Sequence, residues 1–87
     1  MKLRDFINNN DLTVELISSS DIDGTEYFTC ILDWEDNRLY CNGEEISGRG
    51  KSERESVESL VAFLPGKLID TPGSECEPIR VPNDLVI

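Results

Sequence analysis

Two stretches of the chain alternate between apolar and polar positions. From Leu12 to Ser18, Leu12, Val14 and Leu16 fall on one side and Thr13, Glu15 and Ile17 on the other. This is the pattern of a strand with one wet face. From Glu26 to Trp34, Tyr27, Thr29, Ile31 and Asp33 alternate with Phe28, Cys30, Leu32 and Trp34. The second set is the more apolar and is expected to face the core, with Trp34 as part of it. Glu35-Asp36-Asn37 predicts a turn, and Arg38 to Cys41 a returning strand. Asn42-Gly43 suits a type I′ turn or a bulge, because both residues tolerate positive φ. Glu44-Glu45-Ile46 then extends or redirects the edge. Ser18 to Gly24 is rich in turn formers and predicts a loop.

Helical spacing appears twice. Leu3, Phe6 and Ile7 predict one or two turns over residues 2–8, ended by Asn8-Asn9-Asn10. Ser52 followed by Glu55 forms a capping box, and Val57, Leu60, Val61 and Leu64 recur at i, i+3, i+4 and i+7. Together they predict an amphipathic helix with a satisfied N-terminus. Pro65-Gly66 ends or bends it, and Lys67-Leu68-Ile69 is read as a last turn. Ser47-Gly48-Arg49-Gly50-Lys51 reads as a flexible basic connector, and residues 71–77 as a loop. Ile79-Arg80-Val81 predicts a short edge strand between prolines. Asp84 to Ile87 ends apolar, so the tail is expected to dock on the body. The fold class is α+β: a short N-terminal helix, a three-stranded antiparallel meander, an amphipathic helix packed on the sheet and an extended C-terminal tail.

A chain of 87 residues has room for a single domain, residues 1–87, with a small core. Eighteen Asp and Glu against eight Lys and Arg leave a net charge of −10. That balance opposes direct contact with nucleic acid or anionic membrane and favours encounter with basic protein surfaces. Cys30, Cys41 and Cys76 are odd in number and follow a charged N-terminus. Free thiols in a reducing cytoplasm are therefore expected. No apolar run reaches the length of a membrane span. The oligomeric state is not specified by any of these features.

Most chemistries lack their residues. The chain has no histidine, which removes the usual general base and the histidine metal sites. The cysteines form no C-x-x-C pair. Ser19 to Glu26 resembles half a calcium loop, but position one would be Ser19 and position twelve Cys30 where a bidentate Glu is required. Gly48-Arg49-Gly50-Lys51 does not fit a phosphate-binding loop. Asp33 and Glu35, two apart, would share a strand face at ~6.6 Å if the strand persisted, but exposure beside a turn argues against acid–base work. No catalytic residue, cofactor or metal is expected.

The acids are not matched by bases. From Glu15 to Glu45 the sole base is Arg38, and eight acids follow Glu15: Asp21, Asp23, Glu26, Asp33, Glu35, Asp36, Glu44 and Glu45. These eight are the candidate partner-binding residues. On paired strands, acids at alternate positions lie at spacings comparable to those of charges along a nucleic-acid backbone, so the array would act as a nucleic-acid mimic.

Asp11-Leu12-Thr13-Val14-Glu15-Leu16, and Ser52-Glu53-Arg54-Glu55-Ser56-Val57-Glu58 with Ala62-Phe63, resemble segments of the small acidic anti-CRISPR proteins of phages, which inhibit CRISPR effector nucleases. That resemblance implies a helix, a three-stranded antiparallel sheet and C-terminal helix, and an inhibitor that covers the effector's DNA-signal site. The chain departs from the family in its Pro-containing extended tail and its Gly-Arg-Gly-Lys segment, and no contact residues carry over. The expected function is a non-enzymatic acidic inhibitor of a basic nucleic-acid-binding protein or nuclease. The alternatives are an immunity protein or antitoxin neutralising a cognate toxin, and an accessory interaction module.

Overall fold

The structure is a computed structural model that describes residues 1–35, 37–71 and 77–87. Its main feature is a β-ribbon. Strand β1 (Thr13–Ser20) pairs antiparallel with β2 (Glu26–Trp34) along its whole length, Thr13 opposite Asp33 and Ser20 opposite Glu26. The other side of β2 is covered in two pieces. Strand β3 (Asn37–Arg38) pairs with Asp33 and Trp34, and β6 (Ser47–Gly50) pairs with Phe28 to Ile31.

Between those pieces the chain leaves the sheet as a small hairpin, β4 (Tyr40–Cys41) with β5 (Glu44–Glu45). Its two-residue turn is Asn42-Gly43, with φ of 53° and 82°, the left-handed pair a type I′ turn requires. Leu39 and Ile46 form the neck and are both fully buried. The Ile46 N–H donates to the Leu39 carbonyl (3.1 Å), and the Leu32 N–H donates to the Ile46 carbonyl (3.2 Å). The expected meander is present, but its third strand is divided. Arg38 stays in the sheet, whereas Tyr40 and Cys41 turn away.

Ser47 to Gly50 is not a flexible connector. It is strand β6, and its glycines form the floor beneath helix α2 (Glu53–Phe63). A Cβ on Gly48 would collide with the Ser56 carbonyl and the Leu60 amide, and one on Gly50 with Glu55 and Ser56. Ser56 is itself fully buried, and its hydroxyl donates to the Glu53 carbonyl (2.6 Å). Small residues on both surfaces let helix and strand approach closely.

The N-terminus of α2 is capped much as its sequence predicts. The Glu55 N–H donates to Ser52 Oγ (3.1 Å), and Glu55 Oε2 reaches back to accept from the Lys51 N–H (2.7 Å). Leu60, Val61 and Leu64 are buried, and Val57 is half-buried against them. The helix ends before Pro65-Gly66. Lys67-Leu68-Ile69 adds no helical turn: Leu68 and Ile69 form strand β7, which pairs with β8 (Ile79–Arg80). Gly66 (φ 75°) donates to the Val81 carbonyl, and the Val81 N–H donates to the Lys67 carbonyl. Those bonds draw the chain into a hairpin. The Asp70 N–H donates to the Tyr40 carbonyl (2.8 Å), which joins this hairpin to β4. Of the loop expected over 71–77, residues 72–76 lie outside the described residues, and Cys76 with them.

Helix α1 (Leu3–Asn9) buries Leu3 and Phe6. The C-terminal tail docks beside it. The Val86 N–H donates to the Met1 carbonyl (2.8 Å), the Leu3 N–H donates to the Val86 carbonyl, and Leu85 is buried. The core therefore gathers at one end of the ribbon, where α1, α2, the two small hairpins and the tail meet β2 through Cys30, Leu32 and the half-buried Trp34. Toward the other end β6 reaches only as far as Phe28, so Ser19 to Tyr27 project past it. Leu16, expected in the core, is 45% exposed for a related reason: α2 rests on β6 and β2 and leaves β1 uncovered.

Candidate docking surface

Arg38 organises the charges of the sheet. It stands opposite Asp33 in the β2–β3 register, so their side chains share a face. Its Nη1 donates to both Asp33 carboxylate oxygens (2.9 and 2.8 Å) and to Glu15 Oε2 (2.9 Å). Its Nε lies 3.7 Å from Glu45 Oε1. Three carboxylates from three different strands thus share one guanidinium. Hydrogen bonding to Asp33 first, and to Glu15 next, raises the Arg38 pKa further above its ordinary value. Asp33 is only 9% exposed. It was expected at the surface because it flanks a turn; its pairing with Arg38 places it in a structural ion cluster instead. Glu45 keeps an exposed side chain but belongs to the same cluster.

Asp33 and Glu35 do not share a strand face. The strand ends at Trp34, and Glu35 takes φ 48° in the turn that follows. Glu35 and Glu44 are both exposed at the end of the sheet where the core lies, and among the described residues neither has an ion-pair partner. Asp36 lies outside the described residues.

Asp21, Asp23 and Glu26 sit at the opposite end, roughly 27 Å away by the 8 residues of β1 at about 3.4 Å each. The candidate acids among the described residues are therefore not one continuous surface: an antiparallel ladder of this length puts its two turns at opposite ends. The turn at the far end is built by its own acids. The Asp21 N–H donates to the Thr25 carbonyl, the Gly24 N–H donates to the Asp21 carbonyl, and the Thr25 N–H donates to Asp23 Oδ1 (3.0 Å). The backbone bond from Thr25, followed by one from its hydroxyl, holds the Asp23 carboxyl below its usual range. Gly24 supplies φ 84°. This is the geometry of a solvated turn, and Ile22 at its tip is fully exposed. Beside it Ser18, Ser19, Ser20, Glu26 and Phe28 line an open groove.

Among the described residues no group of three or more Cys, Asp or Glu side chains converges as a metal-ligand set. Cys30 and Cys41 are free and buried, and burial pushes the Cys30 thiol up, so it stays protonated near neutral pH. No helix among the described residues is long and apolar enough to cross a membrane. No family model, curated protein or solved structure matches the chain.

Sequence reasoning left Glu15 out of the cluster, although a signal for it was present. With a single base between Glu15 and Glu45, acids that the strand register brings to the same face converge on that base.

Proposed function

We propose that this protein is a non-enzymatic docking module that binds a basic surface of a nucleic-acid-binding protein and occludes it. One observation carries the reading. The sole base between Glu15 and Glu45 is bound to Glu15, Asp33 and Glu45. Asp21, Asp23, Glu26, Glu35 and Glu44 are exposed, and none has an ion-pair partner among the described residues. Exposed carboxylates on a rigid ribbon, in a chain of net charge −10, favour fast encounter with cationic grooves and suppress association with nucleic acid itself. The sharper form is a counter-defence inhibitor of the anti-CRISPR kind, which would occupy the site where an effector nuclease holds DNA. Of the two segments that carry that resemblance, Thr13 to Leu16 lie in β1, and Glu53 to Glu58 with Ala62-Phe63 lie in α2. An immunity protein or antitoxin would use the same charges, and a toxin gene beside this one would favour it.

Capture from host lysate at low and high salt, followed by measurement of nucleic-acid binding by the captured protein, tests the reading. The expected result is a basic nucleic-acid enzyme that is released by salt and loses nucleic-acid binding in the presence of this chain. Reversing Glu35 and Glu44 to lysine should slow association and flatten its salt dependence. Capture that is indifferent to both salt and charge reversal would sink it. Asp33 is left out of the reversal set, because its loss would release Arg38.

A further inference from the structure

The outer edge of β1 is open. β1 is the terminal strand of the sheet, with β2 as its one neighbour among the described residues. Its register with β2 pairs positions summing to forty-six, and the Asp21 N–H to Thr25 carbonyl bond continues that ladder into the turn. The odd-numbered residues of β1 therefore bond inward to β2. The Leu32 N–H to Ile46 carbonyl bond agrees, since it shows the even positions of β2 bonding away from β1. By alternation, Val14, Leu16, Ser18 and Ser20 carry their N–H and C=O groups outward. This edge has 8 residues and none of the usual protections: no proline, no lysine and no bulge. Its one charged side chain, Glu15, is held by Arg38 on the sheet face.

The charges around this edge select its occupant. Asp11 precedes β1, and Asp21 and Asp23 follow it, all exposed. Two copies pairing antiparallel, with Val14 opposite Ser20 and Leu16 opposite Ser18, would bring Asp11 of each, just before the strand, toward the turn of the other that holds Asp21 and Asp23. The next register, with Leu16 against itself, does the same. Like charges brought together at the ends of a ladder oppose it, and each copy adds a net −10. A strand with cations at both ends turns the same acids into attractions.

We propose that β1 recognises its partner by strand addition: an extended segment of a basic protein, with Lys or Arg at both ends and an apolar residue beside Leu16, pairs with the outward amides of Val14, Leu16, Ser18 and Ser20. The proposal rests on the docking function above and specifies how the partner is held.

A synthetic peptide of alternating threonine and valine, with a lysine pair at each end, is the probe. Titrated into the isotope-labelled full chain, it should slow amide exchange at Val14, Leu16, Ser18 and Ser20, and the same peptide with glutamate pairs should not. Leu16→Pro removes an outward N–H that no internal bond uses, so the fold should survive while affinity falls about tenfold or more. Should that variant fail to fold, Asp11→Asn with Asp21→Asn leaves the backbone unaltered and should weaken the peptide and flatten its salt dependence. Peptide protection that maps to Glu35 and Glu44 and ignores L16P overturns the edge and leaves the acidic docking function standing. Absence of protection up to the solubility limit of the peptide overturns the edge. A dimer in light scattering that L16P dissolves overturns it in favour of a second copy.

Discussion

Arg38 Nη1 lies 2.9 and 2.8 Å from the two carboxylate oxygens of Asp33, across adjacent strands. Asp33 is nearly buried, so Arg38→Ala leaves a desolvated carboxylate without its counter-charge. Removing one member of a buried pair costs about 3–5 kcal/mol. The Arg38 side chain is 37% exposed, and solvent screening holds the expected loss well below that of a fully buried pair. Urea denaturation should show that loss, a smaller one for Glu15→Gln or Glu45→Gln, and partial recovery in the double variant Arg38→Ala/Asp33→Asn. Equal losses from all three single variants would contradict the central place of Asp33.

Gly48→Ala tests the floor beneath α2. Its Cβ would meet backbone atoms of Ser56 and Leu60, which cannot swing aside as a flexible side chain would. Overpacking of this kind costs about 1–3 kcal/mol or more, and each kcal/mol is worth roughly 4–8 °C of Tm in a domain of this size. Thermal melts should therefore show a clear drop for Gly48→Ala. A change of a degree or less would mean that β6 gives way easily, as a linker would.

The turn at the far end should respond to acid. The folded-state pKa of Asp23 lies below its ordinary value because Thr25 donates to its carboxylate. Its contribution is thus present above the unfolded pKa of about 3.9 and is lost as pH falls through the lower folded value. Asp23→Ala should be less stable than the parent near neutral pH, with the gap closing below about pH 4. A gap that is constant from neutral to acidic pH would exclude the charged form as the source.

Glu35 holds φ 48° without being glycine. A left-handed residue with a Cβ costs roughly 1–2 kcal/mol, and asparagine tolerates the region better. Glu35→Asn should raise stability by about 0.5–1 kcal/mol while removing one carboxylate from the proposed docking surface. A higher Tm together with slower association is the expected pair of results. Faster association would count against Glu35 as a contact.

Where local pattern decides conformation, the sequence alone was sufficient. Ser52 and Glu55 cap α2, its Leu60, Val61 and Leu64 bury with Val57 half-buried against them, and Asn42-Gly43 makes the left-handed turn, because each signal acts over a few neighbouring residues. The alternation of Glu26 to Trp34 likewise identified the face of β2 that enters the core.

Ser47-Gly48-Arg49-Gly50 was opaque for the opposite reason. Its glycines lack side chains to carry a pattern, and they become a strand only because β2 offers a ladder on one side and α2 needs a close floor above. Leu16 alternates as a core residue and is nevertheless exposed, since the position of α2 over β6 decides whether β1 is covered. The acids show the same division. The sequence determined that one base faces many carboxylates, but only the tertiary structure decided that Arg38 takes Glu15, Asp33 and Glu45, and that Asp21, Asp23 and Glu26 stand at one end of the ribbon and Glu35 and Glu44 at the other. Charge is a property of composition, whereas the pairing of charges depends on register, which is set by contacts between strands distant along the chain.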